Sequence, residues 1–226
     1  MSGLKRVSEK ALREEIVEAA LSMSRSGLTV GRSGNVSCRF KDGMLITPSG
    51  KRYEETKPDD IVFVAGDGSV PKGQGKPSTE WHFHLAAYHA RPDRHAVVHT
   101  HSTHATVLAC AHKPIPAFHY MVAVAGGKDI PCVPYATFGT EELAAHVAAG
   151  LKDRDACLMA NHGQIAIGPS LAHALELAIE VEALAEQYYK VLCTGAGHIL
   201  SDAEMLQVAE KFKSYGKNTE AGPTDK

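Results

Sequence analysis

Residues 77–102 read PSTEWHFHLAAYHARPDRHAVVHTHS, and the two halves of this stretch carry opposite structural signals. Ser78 and Thr79 are natural N-caps, and the residues from about Glu80 to Ala90 contain neither glycine nor proline before Pro92. That pattern predicts a helix with a carboxylate, Glu80, at its start. The valine-rich run that ends at His101 predicts a strand. Side chains at i and i+2 of a strand share a face, so His99 and His101 aim at one point while Val98 and Thr100 face the other way. Two imidazoles on one face form a metal clamp that lacks a third ligand. His162 is the candidate, because it sits in the tight turn Asn161-His162-Gly163 between the apolar runs Ala156 to Ala160 and Gln164 to Ile167. A buried imidazole there needs a polar partner. Three imidazoles with an open position make a catalytic zinc arrangement, whereas a structural site more often recruits cysteines.

Composition bounds the possibilities. A chain of 226 residues fits one domain, and 44% hydrophobic with 22% charged residues is ordinary for a globular protein with a sizeable core. A net charge of −2 argues against nucleic acid or an anionic membrane as the main partner. Cys38, Cys110, Cys132, Cys157 and Cys193 are odd in number and widely spaced, as in reduced cytosolic proteins. The N-terminal stretch has no apolar core, and no run reaches the roughly 18 apolar residues of a membrane span. The expectation is a cytoplasmic protein. Thirteen histidines, nine of them between His82 and His119, raise the prospect of a metal site. His82, His84 and His89 lie on the Glu80 helix and are read as surface or packing residues.

Working outward, an amphipathic helix is expected from Ser8 to about Arg25, with Ser8 as N-cap and Gly27 as left-handed C-cap. Short strands are expected at Val36–Phe40, Met44–Thr47 and Ile61–Val64, the last closed by a hairpin turn at Gly66-Asp67-Gly68. Two of the strand ends carry small, hydroxyl-bearing turns, Ser33-Gly34-Asn35 and Pro48-Ser49-Gly50. Each reads either as a plain turn or as an anion site in which glycine admits close approach and Asn35 donates. With Ser78 and Thr79 at a helix start, three such turns are available to one phosphate. Further helices are expected at Thr103–Ala111, Thr140–Leu151, Leu171–Leu192 and Asp202–Phe212, with a candidate strand at Ile130–Val133. A polar tail from about residue 213 is expected to fray.

Taken together, SGNVS (33–37), ITPSG (46–50), PSTEWHFH (77–84), AVVHTHS (96–102), HYM (119–121), YATFGT (135–140), NHG (161–163) and KFKSYG (211–216) resemble the class II aldolase/adducin family. The likeness is colinear from about residue 10 to 216. It implies an α/β fold, three-layer α/β/α around a mostly antiparallel central sheet, in a single domain over residues 1–226. It also implies a homotetramer with active sites between subunits. By position, Glu80, His99, His101 and His162 match the family's zinc ligands, with Glu80 also the acid/base; another divalent metal is possible. Gly34, Asn35, Ser49, Gly50, Ser78 and Thr79 match its phosphate cradle. Tyr120 matches a catalytic tyrosine from the adjacent subunit, Phe138 an aromatic wall of the aldehyde pocket, and Tyr215 a mobile C-terminal tyrosine that closes over the site.

The implied reaction is reversible cleavage of a ketose 1-phosphate, of the L-fuculose 1-phosphate type, to dihydroxyacetone phosphate and a lactaldehyde-type aldehyde. Thr79, where the family commonly has serine, and Lys51-Arg52 after the second turn are consistent with a different aldehyde half. The alternatives are an aldolase or dehydratase for salvage sugars (5-deoxyribulose or 5-methylthioribulose 1-phosphate), a pentulose-phosphate 4-epimerase, and an adducin-like scaffold. Those epimerases have Asp where this chain has Glu80, and the scaffold modules lack the histidine clamp. A Schiff-base aldolase would need a desolvated lysine, and no lysine sits in an apolar run.

Overall fold

The computed structural model describes residues 8–214. A seven-stranded sheet runs through it: β1 Asn35–Phe40, β2 Gly43–Ile46, β3 Val62–Val64, β4 Ala96–Thr100, β5 Cys132–Val133, β6 Ala156–Met159 and β7 Gly163–Gly168. Their spatial order is β3-β2-β1-β4-β7-β6-β5. Every pairing is antiparallel except β5 with β6, which is parallel. The sheet is therefore mixed, though largely antiparallel. The departure from the expected mostly antiparallel sheet is the pairing of β5, which lies within the candidate strand Ile130–Val133 and is joined to β6 by a crossover through helix α4 (Glu141–Leu151) rather than a hairpin.

The remaining helices are α1 Glu9–Arg25, α2 Trp81–Ala90, α3 Thr103–Cys110, α5 Leu171–Thr194 and α6 Asp202–Ser214. Two apolar cores form, and strand alternation divides them. Val36, Cys38, Ala96, Val98 and Ala166 pack with α1, α3 and α5. Met44, Ile46, Val97, Ile165 and Ile167 pack with α2 and α4. Val97 and Val98 on β4 are buried in different cores, which is why this strand reads as an unbroken apolar run. Full burial of each valine contributes about 1.5–3 kcal/mol, so β4 is held firmly from both faces.

Local chemistry sets the helix starts. The Ser8 hydroxyl accepts from the Ala11 amide, and that of Thr140 from the Leu143 amide, as the sequence predicts. The α2 start differs. Its N-cap is Glu80 and not Ser78 or Thr79, and Glu80 makes no side-chain capping bond. Ser78 Oγ instead accepts from the Glu80 amide, which leaves the carboxylate free to turn elsewhere. The Gly66–Gly68 turn closes between Ala65 and Ser69, but no strand follows to make a hairpin. β3 is a sheet edge, and the Gln74 side chain accepts from the Phe63 amide in place of a neighbouring strand. α6 reaches Ser214; residues from Tyr215 onward, and with them nearly all of the tail expected to fray, lie outside the described residues. Among the described residues no helix is long and apolar enough to cross a membrane.

Candidate metal centre and anion cavity

Four residues meet where β4, β1, the β6–β7 turn and the start of α2 converge. β4 stops at Thr100, so His101 lies one residue beyond the strand that was expected to include it, yet its ring still turns toward that of His99. The two Nε2 atoms are 3.0 Å apart. His99 Nδ1 donates to the Gln164 carbonyl at 2.7 Å, which leaves its Nε2 lone pair pointing into the cluster. His162 sits in the β6–β7 turn behind Asn161, a residue at φ +53°. Gly163 next to it admits the close approach, since a Cβ there would come within 2.4 Å of the Thr100 carbonyl. Glu80 completes the set: Oε1 lies 2.9 Å from His162 Nε2, and Oε2 lies 3.4 Å from His99 Nε2.

The candidate ligand atoms of Glu80, His99, His101 and His162 all lie within 4.8 Å of one another. Three imidazole nitrogens and one carboxylate oxygen suit zinc and related divalent ions. Burial alone would raise the Glu80 carboxyl. The electrostatic pull of His99 and the hydrogen bond from His162 outweigh it and hold the carboxyl well below the usual carboxylate range. Burial, helped by the neighbouring histidines, pulls the His101 imidazole down to about 4. His162 is also lowered, chiefly by burial and against its hydrogen bond to Glu80. Rings that stay neutral and a carboxylate that stays ionised are the forms that bind a cation, so the donor set fits a metal.

A cavity of about 370 Å³ opens onto this cluster. Gly34, Asn35, Ser49, Gly50, Ser78 and Thr79 line one end, which brings together the three turns singled out in the sequence. Glu80, His101 and His162 line its floor, while His99 is fully buried behind them. Phe138 and Tyr135 form an exposed aromatic wall. Not every expected donor is free. The Gly34 amide donates to Tyr53 Oη at 2.9 Å and the Ser49 amide to the Lys76 carbonyl at 3.0 Å. Gly34 thus offers room instead of a donor, and a Cβ there would come within 2.8 Å of the His99 carbonyl. Asn35 Nδ2 donates to Glu80 Oε2 at 2.8 Å.

Tyr120 does not line this cavity. It is half exposed in the 3-10 segment Tyr120–Ala125, with its ring 6.4 Å from that of Phe212. Tyr215 falls outside the described residues. Lys51, which follows the second turn, is paired with Asp60 at 2.6 Å. The cation that does line the cavity is Arg32, whose Nη1 donates to the Gly50 carbonyl at 2.6 Å and ties two of the turns together. Sequence reading passed over it because an arginine before Ser33-Gly34 carries no periodic or spacing signal.

Comparison with known proteins decides the family. The profile of the Class II Aldolase and Adducin N-terminal domain matches residues 14–189. The chain belongs to the class II aldolase and adducin family. An Escherichia coli protein named L-fuculose phosphate aldolase is 51% identical over 92% of this chain and 97% of its own length. A Rhodospirillum rubrum protein named 5-methylthioribulose-1-phosphate/5-deoxyribulose-1-phosphate aldolase is also 51% identical, over 94% of this chain and 96% of its own. A solved structure of L-fuculose 1-phosphate aldolase superposes with a TM-score of 0.88 at 41% identity, over 93% of this chain and 100% of that one. The chain is an enzyme, a class II aldolase of the carbon–carbon lyase kind that acts on phosphorylated sugars. Class II aldolases are metal-dependent, and among the described residues the Glu80–His99–His101–His162 cluster is suited to the ion.

Proposed function

We propose that the protein is a zinc aldolase that reversibly cleaves a ketose 1-phosphate to dihydroxyacetone phosphate and a short aldehyde. The observation that carries this reading is the single cavity that joins the histidine–carboxylate cluster to a hydroxyl-lined end bearing Arg32. Glu80, His99, His101 and His162 would hold the zinc, which would supply Lewis-acid polarisation of a substrate oxygen. Ser49, Ser78, Thr79 and Asn35 hydrogen-bond the phosphate, Gly34 and Gly50 leave it room, and the Arg32 guanidinium adds the charge a dianion requires.

In the condensation direction the ionised Glu80 takes a proton from the hydroxymethyl carbon of dihydroxyacetone phosphate. That carbon attacks the aldehyde carbon, and Tyr120 of an adjacent copy gives its proton to the aldehyde oxygen. Cleavage runs the same steps backwards. Phe138 walls the aldehyde half. This reading takes the chain as a single three-layer α/β/α domain, supported by the two cores that α1, α3, α5 and α2, α4 build with alternating strand residues. It also takes the protein as a cytoplasmic homotetramer with sites between subunits. Five unpaired cysteines accord with that compartment, and a cavity whose lining does not include Tyr120 of its own chain accords with a site shared between copies.

The L-fuculose 1-phosphate type is the first substrate reading. A second, 5-methylthioribulose or 5-deoxyribulose 1-phosphate, is favoured by the equal identity of the Rhodospirillum rubrum relative. Cleavage of these sugars and of L-rhamnulose 1-phosphate by the zinc-loaded protein, with dihydroxyacetone phosphate detected by a coupled reductase, tests both. One preferred sugar whose cleavage stops with chelator is the expected result. No dihydroxyacetone phosphate from any of them would sink the proposal.

A further inference from the structure

Beneath the cluster a buried polar chain runs from Glu80 and Asn35 to His84, Ser37 and Tyr88, three residues that the reaction steps above do not use. Asn35 Nδ2 donates to Glu80 Oε2 at 2.8 Å, and Asn35 Oδ1 lies 2.5 Å from His84 Nε2. His84 Nδ1 is 2.8 Å from Ser37 Oγ, which is 2.8 Å from Tyr88 Oη. Ser37 and His84 have no exposure at all, and the other three side chains are buried. Two periodicities build the chain. Glu80, His84 and Tyr88 recur every four residues on α2, and Asn35, Ser37 and Arg39 every two residues on β1. Four helical residues advance about 6 Å and two strand residues about 6.6 Å, so the two rows stay in step. Arg39 closes the far end, its guanidinium carbon 4.8 Å over the Tyr88 ring.

Hydrogen-bond chemistry allows this chain one polarity. An ionised carboxylate only accepts, so Asn35 turns its NH2 to Glu80 and its oxygen to His84. An amide oxygen also only accepts, so His84 carries its proton on Nε2. Nδ1 must then accept from the Ser37 hydroxyl, and Ser37 from the Tyr88 hydroxyl. Burial draws the His84 imidazole down to about 3, in keeping with a neutral ring. An apolar residue at position 84 would have packed the same core without two buried hydrogen bonds, to Asn35 and Ser37, to satisfy.

We propose that His84 is a positioning residue for the reaction: by holding Asn35 Oδ1 it aims one amide N–H at Glu80 and leaves the other facing the cavity. His84 thereby links the acid/base carboxylate to the phosphate end through a single side chain. This rests on the reading of Glu80 as the reacting carboxylate.

The test uses the full-length, metal-loaded protein with His84→Leu and His84→Gln, since a glutamine amide can reach Asn35 Oδ1 as the imidazole does. His84→Leu is expected to lower kcat by about 10- to 100-fold, the range for groups that orient a ligand, with a smaller change in KM and metal still bound. His84→Gln is expected to recover most of the loss. A packing role alone would lower melting temperature in both variants and leave kcat of the folded protein unchanged, which would overturn the proposal. Nitrogen-15 NMR of labelled histidine reads the polarity without any activity. The expected pattern is a protonated Nε2 and bare Nδ1 on His84 from about pH 5 to 8, where an ordinary imidazole titrates. A proton on Nδ1 would also overturn the proposal. If His84→Leu fails to fold, the glutamine variant and the NMR pattern still decide. If no ketose 1-phosphate is cleaved, the reaction assignment falls while the tautomer still tests the chain.

Discussion

The metal cluster and the cavity rim are adjacent, yet they are built on different principles. His99 is fully buried, anchored by a strand on each side and by the Gln164 carbonyl, and Glu80 is 7% exposed and held by Asn35. Phe138 and Tyr135, by contrast, stand 63% and 56% exposed on the segment between β5 and α4. Donors that share one ion must be placed to within a few tenths of an ångström, which needs rigid elements and outer hydrogen bonds. A wall that meets a variable substrate tail needs only shape and apolar area, and loops supply both. Under the proposed function, the contrast accounts for relatives of equal identity that carry names with different sugars: the end assigned to bond breaking sits in the core, and the end assigned to the aldehyde half does not.

The sharpest way to break this contrast is to remove a ligand. His101→Ala should lose bound metal and with it measurable cleavage, and metal analysis after dialysis checks it; retained tight binding would mean the cluster is not the site. Glu80→Gln comes next. It keeps the fold and lowers kcat by about 10³-fold, as expected for loss of a positioned acid/base, and unchanged turnover would remove Glu80 from the mechanism.

The cavity end should respond more gently and in a different parameter. Arg32→Gln should raise KM for the phosphorylated sugar about tenfold, the effect of one charge-assisted hydrogen bond, with kcat little changed. Weaker inhibition by inorganic phosphate would accompany it, and an unaltered KM would take Arg32 out of the anion site. The smallest effect is on stability of the metal-free protein. His84 and His101 bind protons less readily folded than unfolded, so stability is full above the unfolded value near pH 6.5 and falls as pH drops toward about 4 for His101 and about 3 for His84. Glu80, lowered in the fold, adds its own loss only below its usual range. Urea unfolding between pH 6.5 and 4.5 should therefore show a slope of at most about 1.4 kcal/mol per pH unit for each imidazole. His84→Gln should flatten it.

Much of the fold was legible because local chemistry and tertiary packing agree. Ser8 and Thr140 cap the helices they precede, β4 is apolar on both faces because both are buried, and the i, i+2 spacing brings His99 and His101 together. Where a local signal was redirected, reading failed. Ser78 and Thr79 are good caps, but the site requires a free Glu80 carboxylate, so Glu80 takes the cap position without bonding its own helix. The Gly66–Gly68 turn promised a hairpin, and the Gln74 side chain does the pairing instead.

By itself the sequence determined the clamp on β4, the third imidazole at His162, the family and hence the class of reaction, since all rest on residue type and short-range period. Tertiary structure alone decided which donors face the cavity. Gly34 and Ser49 spend their amides on Tyr53 and Lys76, Arg32 bridges two turns, and His84, which reads as a packing residue, anchors Asn35. The reason is physical. A strand's side chains are directed by a two-residue period that spacing reveals, whereas a hydrogen bond between distant turns depends on how the layers between them pack.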